Sequence, residues 1–104
     1  MNFYLFIVTV PTVEEGKKII KNLIESKLAA CVNMIKNISS VYRWKEEIHE
    51  DNEHLLLIKT TEEKCESVIQ KINEIHSYSV PECIGFKIDK GSEKYLNWVK
   101  DVVD

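Results

Sequence analysis

A chain of 104 residues, 44% hydrophobic and 30% charged, has the composition of a single soluble domain with enough apolar residues for a real core. Lys and Arg total 14 against 17 Asp and Glu, for a net charge of −3, so nothing electrostatic points to nucleic acid or an anionic membrane as partner. No apolar run approaches the ~20 residues that a bilayer-spanning helix needs.

Phe3 to Val10 is a near-continuous apolar run, the pattern of a central strand, and Pro11 stops it. Thr12 with Glu15 has capping-box spacing, and Val13, Ile19, Ile20, Leu23 and Ile24 give the following helix an apolar stripe. Ala29 to Ile35 predicts a second strand, continuing through Ser39–Lys45. Alternation there sets Tyr42 and Trp44 on one face, with Ile48 continuing the row. A polar turn is expected over Glu46–Glu53 and a third strand over His54–Thr61, so the two strands form a long hairpin. Aromatic residues at the outer end of such a hairpin have little core to cover them. Tyr42 and Trp44 are therefore expected at a subunit interface.

Thr60 with Glu63 again has capping-box spacing, and Cys65, Val68, Ile69, Ile72 and Ile75 form the stripe of a second helix. After Val80-Pro81 a fourth strand is expected over Glu82–Ile88, with Gly85 marking a close backbone approach. Gly91-Ser92 caps a last helix whose apolar face is Tyr95, Trp98, Val99 and Val102. The order predicts an α+β, ferredoxin-like βαββαβ sandwich in a single domain over residues 1–104, with helices on one sheet face and an extra C-terminal helix.

That fold serves unrelated activities, so function is read from local signatures. Stacking aromatics on the middle strands, needed for RNA, are replaced by Leu55-Leu56-Leu57-Ile58. The first loop, Val10-Pro11-Thr12-Val13, has neither the Cys-x-x-Cys of a metallochaperone nor the glycine-bearing amide cradle of a phosphate hydrolase. Clustered cysteines for an iron–sulfur centre are missing as well. No nucleophile–base pair is visible, so the expectation is a protein that is not an enzyme. Cys31, Cys65 and Cys83 are odd in number and widely spaced, and they read as core thiols in a reducing compartment. Together with the absence of a basic, cleavable leader after Met1, they give the expectation of a cytoplasmic location.

Five segments in order carry a resemblance: Leu28-Ala29-Ala30-Cys31-Val32-Asn33, Ser40-Val41-Tyr42-Arg43-Trp44, Leu57-Ile58-Lys59-Thr60-Thr61, His76-Ser77-Tyr78-Ser79-Val80-Pro81-Glu82, and Gly91-Ser92 with Tyr95-Leu96-Asn97-Trp98. With spacing intact over essentially the whole chain, the sequence resembles the CutA family of divalent-cation tolerance proteins. The resemblance implies a ferredoxin-like homotrimer, similar in architecture to PII-type signalling proteins, with a role in metal-ion response and copper(II) as the ion. Copper binding in the family draws on a strand-one Cys and a His pair. Here Val8 and Ile75 stand at the Cys and one His position, leaving His76 as the candidate metal ligand. A single His does not hold copper alone, so symmetry copies or Glu82 would have to complete such a site. Other departures are Lys36-Asn37 where the family has Pro-Gly, and Glu46 where a hairpin Gly is usual.

His76 also sits at a helix C-terminus, where an imidazolium interacts well with exposed carbonyls. Lys59, Tyr78, Glu82 and Tyr95 are candidates for lining an inter-subunit pocket for an anionic or amphipathic ligand, which makes a PII-like small-molecule sensor the alternative reading. His49 and His54 flank Glu50-Asp51-Asn52-Glu53, which is expected to be a solvated charged turn.

Overall fold

The computed structural model describes residues 1–104. Its elements are β1 (Phe3–Val10), α1 (Val13–Glu25), β2 (Cys31–Trp44), β3 (Glu47–Thr61), a 3₁₀ turn (Glu62–Lys64), α2 (Cys65–Ile75), β4 (Cys83–Lys87) and α3 (Glu93–Val103). The strands form one antiparallel sheet in the order β2-β3-β1-β4, the ferredoxin-like arrangement. Helix α1 starts where the cap spacing predicts, with the Glu15 amide donating to Thr12 Oγ1 at 3.1 Å.

Strand alternation divides the sheet into two faces. Phe6, Val8 and Val10 of β1 and Leu56 and Ile58 of β3 point toward α1 and α2, where Ile19, Leu23, Val68 and Ile72 complete a core that excludes water. Gly85 faces that core opposite Phe6, and a Cβ there would lie 2.7 Å from the Phe6 ring. Only a residue without a side chain lets β4 sit this close to β1. The opposite face carries Leu5, Ile7, Leu55, Leu57, Ile84 and Phe86. Helix α3 packs there and not beside α1 and α2: Val99 and Val103 are buried outside the core cluster, and the Tyr95 phenol lies near Cys31, the register partner of Lys59. The helices therefore lie on both faces, since α3 has an apolar stripe of its own and the first face is already covered.

The hairpin differs from expectation in its turn. Trp44 pairs with Glu47, so the turn is only Lys45-Glu46, and Glu47–Glu53 belongs to β3. Lys45 and Glu46 have φ of 49° and 68°, the left-handed pair that a two-residue hairpin turn demands. Polar composition suggested a loop, but strand pairing to β2 overrides it. Ile48 pairs with Arg43 and so faces away from Tyr42 and Trp44, which correct the predicted row. Replacing Lys45-Glu46 by Asn-Gly should stabilise the fold by about 1–2 kcal/mol, because non-glycine residues are strained in that conformation. A denaturant midpoint unchanged by this swap would contradict the turn geometry.

Between Ile35 and Ile38 the β2–β3 register shifts through a bulge. Asn37 takes φ of 62° there, and its amide donates to Nδ1 of the buried His54 at 3.0 Å. Thr60 does not cap α2. Its hydroxyl donates to the Leu28 carbonyl at 2.7 Å, tying β3 to the end of α1.

Candidate functional site

The segment after α2 is held by one side chain. His76 ends the helix in extended backbone, and its ring is buried beneath the loop. Nε2 lies 2.7 Å from the Thr9 carbonyl oxygen and donates to it, while Nδ1 accepts the Tyr78 amide at 3.0 Å. The Ser77 amide donates to Glu15 Oε2 at 3.0 Å, fastening the same loop to the first turn of α1. Both ring nitrogens are thus committed to backbone groups, and His76 serves as a strut between β1 and the Tyr78 loop.

That strut directs Tyr78 at the hairpin. Its hydroxyl donates to Glu53 Oε2 at 2.6 Å, and burial together with this carboxylate pushes the phenol above its ordinary range. Glu53 is only 6% exposed. Tyr42 stacks on His49 at 5.5 Å and donates its hydroxyl to Asp51, which raises its phenol as well. Between the loop and the hairpin lies an open cleft of about 710 Å³, lined by Tyr42, Trp44, Glu53, Tyr78 and Glu82 together with small polar residues such as Ser40 and Ser79.

The four residues expected to share a pocket fall into two groups. Tyr78 and Glu82 line this cleft. Lys59 lies six residues beyond Glu53 along β3, about 20 Å away at the rise of an extended strand. It donates to Asn33 Oδ1, on the face where Tyr95 lies near Cys31. One chain therefore brings Tyr78 and Glu82 together and leaves Lys59 and Tyr95 at the far end of the sheet. Sequence reasoning missed Glu53, which it assigned to a solvated turn. The signal was its alternation with Leu55 and Leu57, which puts it on the same face of a continuous strand.

No group of three or more His, Cys, Asp or Glu side chains is placed to hold a metal ion. Val8 is buried in the core, Ile75 packs against that core, and His76 has no free nitrogen. The residues of one chain thus do not fit a copper(II) centre, which requires several converging donors.

Cys31, Cys65 and Cys83 are free and half-buried. Burial pushes the Cys83 thiol up to about 11. The unfolded thiol ionises nearer its ordinary 9.0 and gives up its proton first, so folded stability should fall as pH rises from 9.0 to about 11. The raised Tyr78 phenol acts in the same direction. Thermal melts should show this alkaline loss, and Cys83→Val should make it shallower. An identical slope in the variant would mean that Cys83 does not contribute.

The family model described as CutA1 divalent ion tolerance protein matches residues 4–102. The divalent-cation tolerance protein CutA of Thermus thermophilus is 40% identical over 95 residues, covering 91% of this chain and 92% of that protein. The chloroplastic protein CutA of Arabidopsis thaliana is 46% identical over 94 residues; the match covers 90% of this chain and 52% of the plant protein, so the chain spans about half the length of that relative. Among solved structures, CutA from Xylella fastidiosa superposes with a TM-score of 0.97 at 32% identity over 100% of both chains. The periplasmic divalent cation tolerance protein CutA of Archaeoglobus fulgidus gives 0.95 at 33% identity, covering 98% of this chain and 99% of that one.

These relatives correct the expected cytoplasmic location. One is described as periplasmic and another as chloroplastic, so free thiols do not assign a compartment within this group. With matching motifs, sheet order and a family match from residue 4 to residue 102, the chain belongs to the CutA1 divalent ion tolerance family.

Proposed function

We propose that this chain acts as a non-enzymatic homotrimer in tolerance of, or response to, divalent cations, with copper the leading ion. The observation that carries the reading is the family match across residues 4–102. It brings the role of divalent-ion tolerance without bringing a ligand set. Assembly is supported by what the monomer leaves uncovered. Ile84 and Phe86 on the second sheet face are 49% and 51% exposed, and Val41, Trp44 and Ile48 are exposed along the hairpin. Strand β2 is also a sheet edge with unpaired backbone groups, which a neighbour's hairpin would satisfy. A non-enzymatic role is supported by the raised thiols of Cys65 and Cys83, which are poor nucleophiles near neutral pH. Since one chain does not compose a metal centre, the reading puts metal contact between subunits, with Glu82 as a donor.

Native mass spectrometry with and without one equivalent of copper(II) tests both parts. Ions at three times the 12.1 kDa subunit, gaining copper, are expected. A monomer would overturn the assembly, and a trimer that takes up no copper would overturn the metal role. Trp44→Ala should shift the population toward monomer while leaving the circular dichroism of the fold intact. A variant trimer as heat-stable as the parent would remove Trp44 from the interface.

A second reading, a PII-like small-molecule sensor, is favoured by the 710 Å³ cleft at Tyr78 and Glu82. In a thermal-shift screen of metabolites without metal, a stabilising ligand would support it and the absence of any would overturn it.

A further inference from the structure

The cleft between the hairpin and the Tyr78 loop has a chemistry that metal tolerance does not use. Three aromatic rings, Tyr42, Trp44 and Tyr78, stand around it with the carboxylates Glu53 and Glu82; no Lys or Arg lines it, and the nearest cation to these rings that the structure shows is Lys45, 5.9 Å over the Trp44 ring. Glu53 is the unusual member. It is more than nine-tenths buried, yet no Lys, Arg or His side chain pairs with it. One carboxylate oxygen accepts the Tyr78 hydroxyl; the other takes no hydrogen bond from the chain. That second oxygen opens on the cleft, because no polar side-chain atom sealed from solvent lacks a partner. A carboxylate held this deep, with one oxygen free and no cation beside it, is a position suited to receive positive charge.

The walls decide which kind of cation. A divalent metal takes most of its stabilisation from several converging oxygen or nitrogen donors, and no such cluster exists here. Aromatic faces instead attract weakly hydrated organic cations through the ring quadrupole. Asp51 adds negative potential beside the rings through its bond to Tyr42. We propose that this cleft binds an organic ammonium ion, with its alkyl head among Tyr42, Trp44 and Tyr78 and its charge opposed by Glu53. The inference rests on the small-molecule reading above and names the ligand class for it. It involves no chemical step.

The test is an amide NMR titration of the full chain with choline chloride at constant ionic strength, beside 3,3-dimethylbutan-1-ol, which has the same shape without the charge. Choline should shift the amides of Glu53, Tyr78 and Ser79, and the alcohol should bind about tenfold more weakly or not at all. Glu53→Gln should weaken choline by about tenfold while the native mass stays that of the parent. If Glu53→Gln does not fold, Tyr78→Leu, which removes a ring of the same cleft away from the hairpin, should show the same loss. Equal binding of choline and the alcohol would overturn the proposal, as would undiminished choline binding in both variants. If choline fails to bind while some other metabolite stabilises the protein, the ammonium assignment falls and the sensor reading stands. If nothing binds, both fall.

Discussion

Leu56→Asp should leave no folded domain. Leu56 is fully buried in the middle of β3, between Val8 of β1 and Met34 of β2. It belongs to the core against which α1 and α2 pack. The change removes a well-packed aliphatic chain and sets a carboxylate where no water or cation reaches it, at a cost of about 4 kcal/mol or more. That is comparable to the whole stability of an ordinary domain of this size. Circular dichroism and NMR dispersion at neutral pH provide the check, and a dispersed, native-like spectrum would mean that the assigned core is wrong. The same substitution at Phe86, half-exposed on the other face, should spare the monomer fold. The contrast between the two positions tests the division of the sheet into a sealed and an open face.

His76→Ala should cost about 2–4 kcal/mol and loosen the Tyr78 loop. The buried Thr9 carbonyl and the part-buried Tyr78 amide lose their partner together, and a polar group left unpaired is penalised beyond the lost bond. Tyr78 then no longer aims at Glu53, so its phenol should titrate closer to its ordinary range. Thermal unfolding and a spectroscopic tyrosine titration measure the two effects separately. If the variant keeps its stability and its tyrosine titration but loses copper, His76 is a metal ligand and its strut role is wrong. If stability falls and copper uptake by the folded trimer is unchanged, the strut role stands.

Much of this molecule is legible in the chain itself. The apolar run Phe3–Val10, the Thr12 cap, the stripe from Val68 to Ile72 and the Ser92 cap are local signals, and each produces its element because short-range hydrogen bonds and periodicity suffice. Gly85 is readable too, since a glycine inside a strand points to a close neighbour, although only the fold identifies that neighbour as Phe6. Five motifs in order were enough to indicate the family. What the tertiary structure decided is where long-range partners override local preference. Glu47–Glu53 is polar enough for a loop, yet it is strand because β2 offers a complete ladder of backbone partners. Thr60 gives up its cap position to reach Leu28, and His76 becomes a strut because Thr9 and Tyr78 converge on its two nitrogens. Lys59 and Tyr95 part from Tyr78 and Glu82 because a strand rises about 3.3 Å per residue and separates side chains that sequence reasoning had gathered into one pocket. Glu53 is buried for the same long-range reason: the Tyr78 loop folds over it, from 25 residues further along the chain.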